Sequence, residues 1–239
     1  MLFFYLRHGD PIYNPNQLTP LGHRQAEALA RRLARYGLDD IYTSSSNRAM
    51  ETATPTCELL KKEATILDFS SEEHAWEEQS IICPNGQRQW LFFTREAQDI
   101  MCSKEIRDLG EKWYEHPYFK DTDFTKGHFR MRRDTLNFFK ELGYEWDDDK
   151  GQFKNLKISN GKRIALFAHH GFGMNFLSTI LNIPLPSVCL RLNFGHTGMN
   201  VIYFRDEDEY VIPQMLTLGN DGHLLADNMP TSYNNEIYF

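Results

Sequence analysis

The sequence predicts an α/β fold with a doubly wound, mostly parallel sheet flanked by helices and a mainly helical insertion. Short runs of apolar and β-branched residues recur along the chain, and such runs are typical of buried strands. Segments with helix-start and helix-stop residues follow these runs, and strands that alternate with helices favour parallel pairing through helical crossovers. Residues 81–160 differ, because they are rich in aromatic and charged residues and lack clear buried strands.

The first strand and the first helix have clear boundaries. Residues 2–6 are continuously apolar, which predicts a buried strand that ends just before His8. Thr19 is a good N-cap residue, and Pro20 suits the first position of a helix. The helix that they begin is expected to end near Gly37.

Two more strands and a second helix are predicted before the insertion. Residues 40–43 predict the second strand, and a helical pattern follows over residues 47–62. Pro55 lies inside that pattern, so we expect it to kink the helix or to cut it in two. Residues 65–69 predict a third strand, and an acidic segment follows it.

The rest of the chain predicts an insertion and then a return to the core. We interpret residues 81–160 as a cap-like insertion in a single domain that spans all 239 residues, with its best helix at 129–142. Residues 163–168 predict a strong buried strand, followed by another helix. Residues 199–204 and 210–212 predict a final strand pair around an acidic turn.

Composition and charge exclude several classes of protein. The net charge of −7 disfavours nucleic acid and anionic membranes as partners. Residues 1–6 are apolar but too few to span a membrane, and they lack the basic leading region of a signal peptide. The four cysteines form no CxxC pair, which argues against a zinc ribbon or a disulfide framework and favours a reducing, cytoplasmic location.

Basic side chains follow three of the predicted strands at the points where the strands end. Arg7 and His8 follow the first strand, Arg48 follows the second, and His169 follows the strand at 163–168. Ligands of open α/β sheets bind at the carboxyl ends of strands, so these four side chains are expected to form a compact site for a dianion. The neighbouring His170 is expected to point to the opposite face and to be a packing or loop residue.

Four motifs together resemble the histidine phosphatase (phosphoglycerate mutase-like) superfamily. The resemblance covers residues 1–80 and 160–205 and is specific because the motifs occur together in order. In sequence letters they are RHG from Arg7, LTPLG with QA from Leu18, YTSSSNRA with TA from Tyr42, and AHHG from Ala168.

The resemblance implies a role for each matching residue. His8 is the nucleophile that accepts a phosphoryl group, and Arg7, Arg48 and His169 bind the oxygens of that group. Asn14 lies six positions after His8, where the mutase branch places an asparagine that contacts phosphate. The resemblance implies no metal and no cofactor.

A leaving alkoxide needs a proton, so a carboxylic acid is expected beside the third strand end. In similar proteins this acid follows a short apolar strand, and the segment that ends in Ser71-Glu72 fits that pattern. Glu72 is therefore the expected proton donor, and Glu73 remains its alternative. Ser71 departs from the arginine that more commonly precedes this glutamate.

The sequence thus predicts a phosphomonoester hydrolase that acts on a small phosphorylated metabolite through a phosphohistidine. Two alternatives stay open: a phosphoglycerate-type mutase and a non-catalytic module that binds a phosphate ligand. The chain lacks the extended signature of the glycolytic mutase branch, and binding alone would not require His8. The physiological substrate, the ligand of the insertion and the oligomeric state also stay open.

Overall fold

A six-stranded central sheet organises the computed structural model, which describes residues 1–157 and 161–231. The strands of the described residues are β1 (Leu2–Arg7), β2 (Pro11–Ile12), β3 (Gln17–Leu18), β4 (Asp40–Thr43), β5 (Ala64–Ile66), β6 (Ser80–Ile82), β7 (Arg88–Trp90), β8 (Tyr144–Asp147), β9 (Gln152–Asn155), β10 (Arg163–Ala168), β11 (Met199–Tyr203), β12 (Tyr210–Val211) and β13 (Gln214–Asn220). The helices are α1 (Pro20–Tyr36), α2 (Asn47–Leu60), α3 (Glu72–Gln79), α4 (Arg95–Cys102), α5 (Lys104–Leu109), α6 (Asp123–Glu141), α7 (His170–Leu181), α8 (Leu185–Arg191) and α9 (Gly222–Ala226).

The central sheet has the order β13-β11-β1-β10-β4-β5. β1 pairs with β10, β10 with β4, and β4 with β5, all in parallel. β11 is antiparallel to both of its neighbours, β1 and β13. The predicted doubly wound, mostly parallel sheet is therefore confirmed.

Helices cover both faces of the sheet because side chains alternate along each buried strand. Phe3 and Tyr5 of β1 belong to a hydrophobic cluster that includes Phe176 of α7 and Phe139 of α6. Phe4 and Leu6 of β1 pack in a second cluster, together with residues of α1 and α2. The strand that carries the predicted nucleophile is thus buried on both faces.

The first two helices follow the sequence signals with one exception. Thr19 caps α1 by accepting a hydrogen bond from the backbone N–H of Gly22, and the helix ends at Gly37, which has a φ of +69°. Pro55 does not cut α2, which runs as one helix from Asn47 to Leu60. Ala53 of α2 is buried against the sheet, and this tertiary packing outweighs the local cost of Pro55.

The region predicted as a helical insertion contains α4, α5 and α6, and α6 begins at Asp123 rather than at 129. It also contains β6 and β7, which pair as a hairpin, and β8 and β9, which were not predicted. Phe139 of α6 lies 5.3 Å from Phe3, between ring centroids, so this region shares the hydrophobic core of the sheet. The predicted end of the insertion, at 158–160, lies outside the described residues.

The predicted pairing of the last strands is wrong. β11 pairs with β13, whereas Tyr210–Val211 forms β12 and joins β9 in a separate three-stranded sheet. The acidic turn between β11 and β12 is held to this small sheet, since Asn155 Nδ2 donates to the carbonyl of Asp206. Among the described residues, no helix combines the length and the apolar character that a membrane crossing requires.

Candidate active site

The carboxyl ends of β1, β4 and β10 lie side by side and bring the predicted basic residues together. The backbone N–H of His8 donates to the carbonyl of Ala168, and that of Ser44 donates to Phe167, so backbone hydrogen bonds fix the three strand ends to one another. The imidazole rings of His8 and His169 are 5.2 Å apart between centroids. Together with Arg7, Arg48 and Glu72, these two histidines form what we call the inner end of the site.

His8 has its Nε2 atom available, as the predicted role of nucleophile requires. Its Nδ1 donates to the carbonyl of Gly9 at 2.7 Å, which leaves the lone pair on Nε2, and no described residue bonds to that atom. Burial lowers the pKa of His8 well below its usual value, and the charges of His169, Arg7 and Arg48 lower it further. The imidazole is therefore neutral near pH 7, as a nucleophile must be.

The turn that holds His8 in place requires glycine at two positions. A Cβ on Gly9 would lie 2.7 Å from the carbonyl oxygen of Gly22, and a Cβ on Gly22 would lie 2.2 Å from that of Asp10. The start of α1 therefore packs directly against the backbone that follows His8. This close approach explains why the two glycines recur in the motifs of the sequence.

His169 presents a buried nitrogen to the same place. Its Nε2 lies 2.8 Å from Ser44 Oγ, which already accepts a hydrogen bond from the backbone of Ser46 and can give its own proton to the imidazole. His169 Nδ1 is buried without a hydrogen-bond partner among the described residues and lies 3.7 Å from Glu72 Oε2. A buried polar atom of this kind is suited to a ligand.

Arg7 is oriented by two residues from the loop before β11. Its Nη1 donates to the carbonyl of Phe194 at 3.0 Å, and its Nη2 lies 3.1 Å from His196 Nε2. Burial, and then the charge of Arg7, lower the pKa of His196 to about 4, so the imidazole is neutral and can accept from Arg7. His196 Nδ1 in turn lies 3.4 Å from Asp10 Oδ1.

His196 is not among the residues that the sequence predicts for this site. The ring centroid of His196 lies 5.6 Å from that of His8, so His196 lies directly beside the inner end of the site. No local pattern marks His196, because its neighbours in the site come from the start of the chain. The only available signal was the residue type itself.

Arg48 is held at the inner end by Asn16. Arg48 Nη1 donates to Asn16 Oδ1 at 3.0 Å, and its Nη2 donates to Glu72 Oε2 at 3.2 Å. The Nε atoms of Arg48 and Arg7 are both buried without a hydrogen-bond partner among the described residues. Two guanidinium groups with unused donors form a strong anion-binding arrangement.

Asn14, the predicted phosphate contact, is exposed and does not line the cavity that opens above the inner end. Asn16 lines it instead, two positions further along the chain. Asn14 is six positions after His8, but the chain forms the β2–β3 hairpin here, and Asn16 lies just before β3. Spacing alone could not locate the residue that this hairpin turns inward.

Glu72, rather than Glu73, faces the histidines. Glu72 Oε1 accepts from the backbone N–H of Gly171 at 2.6 Å, in the first turn of α7, and Oε2 faces Arg48 and His169. Glu73 is exposed at the rim of the cavity. The helix α3 begins at Glu72, so the first two carboxylates of the helix point in different directions.

A buried hydrogen-bond network fixes α3 against α7. Asn175 Nδ2 donates to Gln79 Oε1 at 2.8 Å and to the carbonyl of Gly171 at 3.2 Å. Asn175 Oδ1 accepts from Gln79 Nε2 and from His128 Nδ1 of α6. Since Gln79 ends α3 and Gly171 begins α7, the network positions the carboxylate of Glu72 beside His169.

A cavity of about 700 Å³ opens above the inner end. Arg7, Arg48 and Glu72 line its base, and aromatic side chains line its mouth. His170 also lines it, with Nε2 bonded to Asn193 Oδ1 at 3.0 Å, although the sequence suggested only a packing role. Burial, and then Arg7, lower the pKa of His170 to about 4.

Three side chains are spaced as a metal site would require. His8, Glu72 and His169 each offer one ligand atom, all within 4.8 Å of one another. Arg48 already pairs with Glu72, and the guanidinium of Arg7 lies at the same place, so a cation there would meet two fixed positive charges. The charge distribution at the inner end therefore favours an anion over a metal ion.

Comparisons with known proteins support the family resemblance and the fold. Residues 3–81 match the model of the histidine phosphatase superfamily (branch 1), which confirms the resemblance predicted from the motifs in this part of the chain. No curated protein matches the chain.

Among solved structures, the chain is similar to a phosphoserine phosphatase mutant from Entamoeba histolytica in complex with phosphoserine, with a TM-score of 0.58 and 16% identity over 93% of this chain and 98% of the other. It is also similar to a mycobacterial glucosyl-3-phosphoglycerate phosphatase with inorganic phosphate, with a TM-score of 0.58 and 15% identity over the same shares of the two chains. At these identities the likeness confirms the fold.

Proposed function

We propose that this protein is a metal-independent phosphomonoester hydrolase that acts on a small phosphorylated metabolite through a phosphohistidine on His8. The observation that carries the proposal is the inner end itself. A neutral histidine, whose Nε2 has no described partner, lies among the buried Arg48, the partly buried Arg7 and a second histidine whose Nδ1 has no described partner. Such a set binds a phosphoryl group and places a nucleophile against it.

In the first step, His8 Nε2 attacks phosphorus, the N–P bond forms, and the bond from phosphorus to the ester oxygen breaks. Glu72 is the general acid of this step and gives a proton to the leaving alkoxide. Its contacts with Gly171 and Arg48 hold the carboxyl group on the cavity side of the histidines. Arg7, Arg48 and His169 stabilise the charge on the transferring group, each at roughly 3 kcal/mol for a well-placed donor.

In the second step, water takes the place of the departed alcohol. The Glu72 carboxylate accepts a proton from the water, the new P–O bond forms, and the N–P bond to His8 breaks. Inorganic phosphate leaves, and Glu72 is protonated again for the next cycle. One carboxyl group thus serves as acid and then as base, so no further group is required for proton balance.

The similar structures support the reaction class. One is a phosphoserine phosphatase in complex with phosphoserine, and the other is a glucosyl-3-phosphoglycerate phosphatase with inorganic phosphate. Both names describe phosphatases of small phosphorylated metabolites. We also propose a cytoplasmic location, which is supported by four cysteines that are all free in the structure.

The direct test is to incubate the purified protein with a panel of phosphate esters in the presence of a metal chelator. We expect release of inorganic phosphate and an acid-labile phosphate on His8, detected by mass spectrometry of the quenched enzyme. Hydrolysis that disappears with the chelator would contradict the metal-independent mechanism. A phosphate ester that binds without forming the phosphoenzyme would favour the binding module.

The mutase alternative is separated by a second assay. The protein is given 3-phosphoglycerate with a bisphosphate primer, and the products are resolved by chromatography. We expect phosphate release to exceed transfer to the second hydroxyl, because the cavity is open to water above the inner end. Transfer faster than release would replace the hydrolase with the mutase.

A further inference from the structure

Four aromatic side chains form the mouth of the active-site cavity, and we call them the aromatic wall: Tyr13, Trp76, Trp90 and Phe93. Tyr13 is 66% exposed and Phe93 is 49% exposed, so both rings have free surface that a ligand can cover. The ring of Trp76 meets that of Trp90 edge to face, with 5.0 Å between centroids. The wall therefore presents apolar ring surface to the cavity.

The aromatic wall begins at the proton donor. A Cβ on Gly171 would lie 2.4 Å from Trp90 Cη2 and 3.0 Å from Glu72 Oε1. The edge of the indole ring and the carboxylate are therefore immediate neighbours above the same glycine. Since Glu72 must reach the ester oxygen, the part of a substrate that is bonded to that oxygen lies against Trp90.

The wall is held on its outer side by packing within the protein. Trp90 stacks on Phe92 with 5.3 Å between centroids, and Phe92 is buried. Arg88 covers one face of Trp76, with its guanidinium carbon 5.7 Å from the ring centroid. The rings that line the cavity are thus positioned before any ligand binds, which lowers the entropic cost of binding.

Most polar side chains around the mouth are already bonded to the protein. In the described residues, these bonds join Arg88 Nε to Ser80 Oγ, Gln89 Nε2 to Cys83 Sγ, and Asn193 Oδ1 to His170 Nε2. Arg88 and Glu73 carry opposite charges at the rim, so the mouth has no net charge that would select an acid or an amine. Apolar atoms form the larger part of the surface that the cavity offers to a leaving group.

We propose that the substrate is the phosphate monoester of an alcohol that carries a planar aromatic ring, joined directly or through a short linker. Its phosphate lies among Arg7, Arg48 and His169, and its ring stacks in the aromatic wall. The cavity volume of about 700 Å³ is within the range of sites for ligands of this size, and exceeds the need of a small acyclic alcohol. The inference rests on the proposed hydrolase activity.

The test compares two esters whose leaving alcohols have nearly the same acidity: 2-phenylethyl phosphate and ethyl phosphate. Because their chemical reactivity is alike, a difference in kcat/KM reports contacts with the ring. We expect a preference of roughly 10- to 100-fold for the phenylethyl ester, as full burial of an aromatic side chain implies. Glucose 6-phosphate serves as the polyhydroxylated ester, and we expect it to be hydrolysed no faster than ethyl phosphate.

Variants of the wall show where the preference arises. We expect Trp76→Ala and Phe93→Ala each to reduce the ratio of phenylethyl to ethyl kcat/KM by about 3- to 10-fold. Phe129→Ala is the matched control, since Phe129 is 42% exposed and does not line this cavity. It should leave the ratio unchanged.

The outcomes separate this inference from the proposed function. Hydrolysis with a ratio near one, or with glucose 6-phosphate preferred, would overturn the aromatic substrate class and keep the hydrolase. A ratio that persists in both wall variants would also overturn it. If no ester is hydrolysed and no phosphate appears on His8, the proposed function fails and the inference fails with it.

Discussion

The inner end and the aromatic wall of one cavity are built in opposite ways. The residues of the inner end come mainly from the ends of long buried strands, and His8 and His169 are 1% and 0% exposed. The wall comes from the β2–β3 loop, α3 and the short β6–β7 hairpin with the turn that follows it, and its side chains are partly open to solvent. The comparison suggests that the sheet fixes the chemistry, while short peripheral elements set the selectivity.

The largest effect is expected from breaking the inner end at His8. We expect His8→Ala to reduce kcat by roughly 10⁴- to 10⁶-fold, because the covalent route is lost. The melting temperature should stay the same or rise, since a buried imidazole without a partner for Nε2 is removed. His23→Ala, at an exposed position on α1, is the control and should retain full activity.

Glu72→Gln tests the proton donor and depends on the substrate. We expect a loss of about 10²- to 10⁴-fold for alkyl phosphates, which need protonation of the leaving oxygen. The loss in phosphoenzyme formation should be much smaller for p-nitrophenyl phosphate, whose leaving group is stable without a proton. The rate of phosphoenzyme formation is measured in the pre-steady state for both substrates.

Glu73→Gln is the matched control for Glu72→Gln. Glu73 is exposed and lacks the contacts that Glu72 makes with Gly171 and Arg48. An equal, substrate-dependent loss in Glu73→Gln would transfer the role of proton donor to Glu73.

Gly171→Ala tests whether the inner end and the aromatic wall are in contact, because Gly171 lies where the two regions meet. The added methyl group would overlap Trp90 and press on Glu72, so we expect a destabilisation of about 1–3 kcal/mol in urea unfolding and a lower kcat. A second change, Trp90→Phe, removes the overlapping ring edge and should recover part of both losses. Independent, additive losses in the double variant would contradict direct contact between the regions.

The smallest effect concerns pH, and it arises from the buried His170 and the partly buried His196. The pKa of His196 and of His170 is lowered to about 4, so in the unfolded chain these groups take up protons at higher pH than in the fold. The contribution of each histidine to the free energy of unfolding is therefore fully present above about pH 6.5. It falls as the pH drops towards 4, by up to ~1.4 kcal/mol per pH unit for each histidine. We expect His196→Gln to reduce the slope of the unfolding free energy between pH 6 and 5, and an unchanged slope would contradict this.

The sequence was sufficient for the inner end because its residues lie beside strands with strong local signals. A buried apolar run precedes His8 and another precedes His169, and parallel strands of one sheet place such ends together. The capping residue Thr19 likewise acts within one turn of the helix that it begins. Each of these features is determined over a few residues.

The features that the sequence did not predict depend on contacts between distant parts of the chain. His196 reaches Arg7 across 189 positions, and no local pattern encodes that meeting. Asn16 was missed because the β2–β3 hairpin, rather than the count from His8, decides which asparagine turns inward. The pairing of β12 with β9 was missed for the same reason, since a two-residue strand has almost no periodicity to detect.

The place of β1 in the sheet has a consequence for the order of synthesis. Leu2 pairs with Arg163 on one side and with Tyr203 on the other, so both partners of this strand are translated long after it. A growing chain therefore carries an unpaired apolar strand and cannot assemble the proposed active site until its last third has been made.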